Sequence, residues 1–209
     1  MEEKVNLWTL VTDGGYIMIP LALLLLLTIY LFCERYIVIS RSLRQDPSFM
    51  ARLRDYLHEG DLQSAENLCK NTHTPYGRML LKGVQRVGRP IAEVGSSMDN
   101  AGNLEVSNLS RGMTWLSTTA AGAPMLGFLG TVIGMIEAFF QLAKAGAQNN
   151  ISLLSGGIYQ ALVTTVAGLV VGIIALFAYN FLLARINRAA NQLEARSMDF
   201  MDLLNTSKA

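Results

Sequence analysis

Three long stretches without a single charged side chain constrain this sequence more than anything else in it. Residues 14–33 are uncharged and contain the leucine-rich run from Leu21 to Leu27. A second uncharged stretch lies between Arg111 and Glu137, and a third between Lys144 and Arg185, with its most apolar part from Leu162 to Leu183. Each is long enough to carry a helix across the hydrocarbon core of a bilayer, which takes about 20 residues. The composition agrees, with 51% hydrophobic residues and only 16% charged, against about 25% charged in an ordinary soluble domain. A net charge of +1 gives no basic footprint for nucleic acid. Cys33 and Cys69 lie far apart without CxxC spacing, so they are read as spectator thiols rather than as a disulfide or zinc site. The opening Met1, Glu2, Glu3 lacks the basic start of a secretory signal, so the first stretch is expected to be a retained span.

The distribution of Lys and Arg predicts an orientation. Of the 17 such residues, eleven lie from Arg35 to Arg111 and four from Arg185 onward, while Lys4 alone precedes the first span and Lys144 alone separates the last two. Arg35, Arg41, Arg44 and Arg111 sit close to span ends, where the positive-inside bias acts. The expected layout is a periplasmic N-terminus at 1–13, a first span at 14–33, a cytoplasmic helical region at 34–111 and a second span at 112–140. A periplasmic hairpin at 141–155, a third span at 156–184 and a cytoplasmic C-terminal helix at 185–209 complete it.

Within 34–111 the spacing of Met50, Leu53 and Leu57 predicts a helix that stops at Gly60. Asp61 is the expected N-cap of a second helix carrying Leu62, Ala65 and Leu68, and Pro75 and Pro90 punctuate the remainder of the segment. After Arg185, the residues Ile186, Ala190, Leu193, Ser197, Phe200 and Leu204 continue an apolar or small stripe, so the third span is expected to run on as a helix.

The second and third spans differ in texture from the first. Gly127, Gly130 and Gly134 in one, and Gly168 and Gly172 in the other, give small-residue faces that let helices approach closely. Close packing alone accounts for these motifs. Thr131 lies 20 residues beyond Arg111 and Thr165 lies 20 residues before Arg185, so both hydroxyls fall roughly 30 Å from the arginines marking one side. The same subtraction gives 26 for Glu137 and 25 for Gln160. Two antiparallel helices thus offer polar groups at two shared depths, one including a carboxylate that would be costly against lipid. This predicts a polar path lined by Thr131, Thr165, Gln160 and Glu137. Glu137 equally fits the outer interface, and Gln160 an interhelical hydrogen bond. Thr118, Thr119 and Thr164 are expected to satisfy their hydroxyls on their own helices. With His58 and His73 outside HExxH spacing and no GxSxG motif, neither an enzyme nor a metal site is expected.

The run from Ala123 to Phe139, APMLGFLGTVIGMIEAF, and that from Gly156 to Leu169, GGIYQALVTTVAGL, together resemble the ExbB/TolQ/MotA proton-channel family, its ExbB branch most closely. His58, Glu59, Gly60 and Asp61 with Ala65 and Cys69 are similar to the same family. The resemblance implies an all-α, three-span membrane protein with long helices extending into the cytoplasm, forming a ring-shaped homo-oligomer, a homopentamer, in the bacterial inner membrane. It implies an ExbD-like single-span dimer in the central pore, a TonB-like protein beyond it, and protons as the transported ion with no cofactor. Thr131 and Thr165 would be the pore threonines, hydrogen-bonding the partner's carboxylate or a proton-carrying water. By the same resemblance the protein would use the proton-motive force to energise outer-membrane transport. A TolQ-like role in envelope maintenance and a non-conducting membrane scaffold are the alternatives. Gln160 stands where the family's ExbB branch has glutamate, and Ile174 where many members have proline, so neither a carboxylate on the third span nor a kink there is implied.

Overall fold

The computed structural model describes residues 14–43, 46–145 and 151–206. The expected N-terminal segment 1–13, Arg44, the middle of the expected hairpin at 146–150 and the last three residues lie outside the described residues. Among the described residues every regular element is helical. A short 3₁₀ turn, Gly15–Ile17, leads into α1, Met18–Ser42. Then follow α2, Phe49–His58; α3, Leu62–Asn71; α4, Pro75–Val84; α5, Ile91–Leu109; α6, Met113–Ala145; and α7, Ile151–Thr206. Three segments are long and apolar enough to cross a membrane, Gly15–Ser42, Met113–Lys144 and Leu154–Asn205.

The helices outrun the spans read from hydropathy. The expected hairpin at 141–155 is helical from 141 to 145 and from 151 to 155, and α1 continues nine residues past Cys33. The limit of lipid tolerance is not the limit of a helix: Gln141, Leu142, Ala143 and Lys144 are good helix formers whatever the solvent. With Ile174 in place of a proline, α7 runs uninterrupted from Ile151 to Thr206.

The chain divides into two compact units. In the first, residues 14–33 and 112–181, one buried apolar cluster consists of Leu21, Ala123 and Val171, with Ile17, Met18, Leu24, Leu25, Leu126 and Ala167 packed on it. Large side chains such as Met125, Phe128, Ile136 and Phe177 are mostly exposed, which lipid or neighbouring subunits can cover and water cannot. Polar groups are satisfied locally, Thr28 donating to the carbonyl of Leu24 at 2.8 Å and Thr119 to that of Trp115 at 2.9 Å, as an environment without water demands.

The second unit, residues 34–111 and 182–206, has the more extensive core. Phe49, Leu53, Ala65, Cys69, Met79, Leu80, Met98, Leu193 and Phe200 form its centre. Phe49 meets Tyr76 edge to face at 5.1 Å. Gly60 turns the α2–α3 hairpin with φ +73, and the Asp61 carboxylate accepts from the backbone N–H of Ser64 at 3.0 Å, so the cap read from the sequence is present. Thr74 caps α4 by accepting from the N–H of Gly77, with Pro75 in its first turn. Along α7, Ile186, Leu193, Ser197 and Phe200 are buried, which is the stripe expected beyond Arg185.

Candidate functional site

The site is a seam of small residues between α6 and α7. A Cβ on Gly127 would fall 3.1 Å from the Cα of Gly168, and one on Gly168 would fall 2.6 Å from the carbonyl oxygen of Ala123. Gly130 faces Thr164, Gly134 faces Gly157 and Ala161, and Gly157 faces Ala138. Gly172 lies against Pro124, where its Cβ would meet the ring at 2.6 Å and the carbonyl oxygen of Ala120 at 3.1 Å. Proline has no N–H for its own helix, so the chain at Pro124 can accept a close neighbour without losing a further donor. The glycines at 127, 130, 134, 168 and 172 all lie in this seam.

That packing sets the level of the two threonines. Thr165 Oγ1 donates across the seam to the carbonyl of Gly127 at 3.1 Å. Thr131, one residue beyond Gly130, donates within its own helix to the carbonyl of Phe128 at 2.5 Å. It borders an open, almost wholly apolar depression of about 490 Å³ with Val132, Met135, Ile136 and Phe139. The structure therefore brings Thr131 and Thr165 within about one turn of each other along the antiparallel pair. Both hydroxyl protons are committed to backbone carbonyls, while both oxygens retain acceptor capacity. Such oxygens can accept from a protonated carboxylic acid or from water, and with a rotation of the hydroxyl they can donate to a carboxylate.

The other two polar groups are placed differently. Gln160 lies over Gly15, where a Cβ would collide with its Nε2, so its side chain packs against the start of the first span. Glu137 is exposed, and six residues of helix turn it about 120° from Thr131 around the axis. Thr164 is buried, donates to Ala161 at 2.8 Å and fills the space beside Gly130. Ala123, Ala138, Gly157 and Ala161 are seam residues that GxxxG pairs alone do not mark. The signal that finds them is the longer recurrence of small residues every three or four positions on both helices.

Outside the spans, burial, with a smaller contribution from the Glu66 charge, pushes the Cys69 thiol up to about 12. That makes it an unreactive core side chain at neutral pH. Arg78 Nε donates to Glu105 Oε1 at 2.7 Å and its Nη2 to Oε2. These hydrogen bonds, and then the Glu105 charge, raise the arginine above its ordinary value despite partial burial.

Residues 71–195 match the family model described as the MotA/TolQ/ExbB proton channel family. Among similar proteins, a Synechocystis protein named as ExbB-like biopolymer transport protein 1 is 32% identical over 191 residues, covering 90% of this chain and 71% of that protein. The biopolymer transport protein ExbB of Neisseria gonorrhoeae is 41% identical over 95 residues, 45% of this chain and 43% of that one. The Tol-Pal system protein TolQ of Haemophilus influenzae is 37% identical over 91 residues, 44% of this chain and 40% of that one. The chain spans less than half the length of the last two relatives. A matched region that contains the whole α6–α7 seam, on three apolar helices, makes this chain a member of the MotA/TolQ/ExbB proton channel family.

Proposed function

We propose that this protein is the ring-forming subunit of an inner-membrane motor of the ExbB-ExbD type, which uses the proton-motive force to energise TonB-dependent outer-membrane transport. In this reading copies of the chain, five by family resemblance, surround a pore walled by α6 and α7. A single-span, ExbD-like partner dimer occupies the pore, and a TonB-like protein receives the work. The N-terminus is periplasmic and the C-terminus cytoplasmic. The protein's work is transport, with no covalent chemistry of its own.

The observation that carries this reading is the glycine-lined seam that holds Thr131 and Thr165 at one level. The partner supplies a carboxylic acid as the proton station, because a hydroxyl does not titrate in the accessible range. In an apolar pore such an acid is held neutral by desolvation, and threonine oxygens at its level serve both protonation states. Gln160, packed over Gly15, and Glu137, turned away from Thr131 around the helix axis, lie apart from this pair, so the path in this reading rests on the two threonines. The similarity to a TolQ protein supports a second reading with the same ring and proton path but an envelope-maintenance partner set.

Mass measurement of the gently extracted complex tests the proposal. A ring of copies carrying a substoichiometric single-span protein is expected. A lone protomer without such a partner would overturn the motor reading, and which partner set co-purifies separates the ExbB-like from the TolQ-like role.

A further inference from the structure

Between α4 and α5, outside the membrane-crossing segments, lies a groove of about 410 Å³. One side carries Lys82, in the last turn of α4, and Arg86, just past the end of that helix; the other carries Glu93, Ser96, Ser97 and Asn100, with Leu104 at one end. The basic residues on this face are treated unequally. Arg78 is held by Glu105, and Arg89 by Glu93 at 2.7 Å. Among the described residues, Lys82 and Arg86 have no acidic partner. The wall facing them carries one carboxylate, Glu93, already taken up by Arg89, and otherwise hydroxyls and an amide, so Lys82 and Arg86 keep their two positive charges unpaired.

The groove also holds an exposed apolar side chain. In residues 46–111, Leu62 and Leu104 are the strongly exposed large hydrophobic residues, and Leu104, at 62%, is the more exposed. Placed beside two free cations, it gives the combination of an apolar anchor and a charged rim that protein partners use. Many of this chain's own acidic side chains are already engaged internally. Asp46 pairs with Arg52, Glu66 with Lys70 and Asp199 with Arg196, besides Glu93 and Glu105. We infer that the groove between α4 and α5 is a docking site for an acidic segment of a different protein, which lays carboxylates against Lys82 and Arg86 and an apolar side chain against Leu104. This site is independent of proton conduction, so it stands or falls apart from the motor reading.

The test uses the full chain in detergent and a short fluorescein-labelled peptide of Glu-Glu-Leu repeats, followed by polarisation. Saturable, salt-sensitive binding is expected. The double reversal Lys82→Glu with Arg86→Glu should weaken it roughly tenfold, because two exposed attractions become repulsions, and should make a Lys-Lys-Leu peptide the better ligand. Leu104→Ser should weaken binding several-fold, while Arg54→Glu, on α2 away from the groove, should leave it unchanged. Unfolding temperatures of the variants should match the wild type, since these side chains support no core. Equal binding by the double reversal, or equal weakening by Arg54→Glu, would overturn the proposal. A change in oligomeric mass on charge reversal would also overturn it, because a second copy of this chain would then be the occupant.

Discussion

At the scale of single residues, the two threonines carry the functional argument and their energetics make them testable. Thr165→Val removes one interhelical hydrogen bond, worth only about 0.6 kcal/mol in membrane helices, so assembly is expected to survive while the hydroxyl is lost. Thr165→Ser keeps the donor and should behave as wild type. The buried Glu105 makes a contrasting case. Arg78→Ala strands its carboxylate and should lower stability by about 1–3 kcal/mol, read from thermal unfolding, whereas replacing both partners with leucine should recover most of the loss. Asp61 gives a pH dependence. Hydrogen bonds from Ser64 hold its carboxyl below the usual range, so it stabilises the fold above the ordinary carboxylate pKa, and that contribution disappears as pH falls through the lowered value. Asp61→Asn should therefore lose less stability than wild type between about pH 6 and about pH 3.

At the scale of elements, the α6–α7 seam is where sequence and structure meet most directly. Gly168→Val places atoms against the backbone at Ala123 and Gly127 and should cost about 1–3 kcal/mol of overpacking, seen as loss of the assembled complex in native gels. Gly122→Ala and Gly156→Ala meet nothing within 4 Å, so they should assemble normally. Much of this was legible beforehand because it depends on local spacing: the Gly60–Asp61 hairpin, the seam glycines and the stripe from Ile186 to Phe200 each follow a helical period. What escaped depends on contacts between distant positions. Nothing near Gln160 in sequence announces that it lies over Gly15, and nothing near Arg78 announces Glu105, 27 residues away. Matching depths along two helices put Glu137 beside Gln160 on paper, but depth carries no information about rotation around each axis. The helix ends within 141–155 also lie beyond the reach of hydropathy, which reports where lipid ends and not where hydrogen bonding does.

At the scale of the whole molecule, a protomer whose membrane-crossing segments leave Phe128, Ile136, Val166 and Phe177 uncovered needs lipid, other copies, or both. The proposed ring accounts for a chain that combines a leucine-rich first span with two small-residue spans. The first suits lipid, and the other two suit close contact and a central path. Spans of this kind associate through packing rather than through a hydrophobic driving force, so the seam and the proposed ring should fail together when glycines are enlarged. The central claim is that the hydroxyl-bearing level of α6 and α7 lies on the proton's route. Proton flux into vesicles carrying the assembled complex with its single-span partner, followed with an internal pH dye under an imposed potential, tests it most directly. Thr131→Val with Thr165→Val should abolish flux in a complex of unchanged mass, and the corresponding serine pair should conduct. A valine pair that assembles and passes protons at the wild-type rate would contradict it.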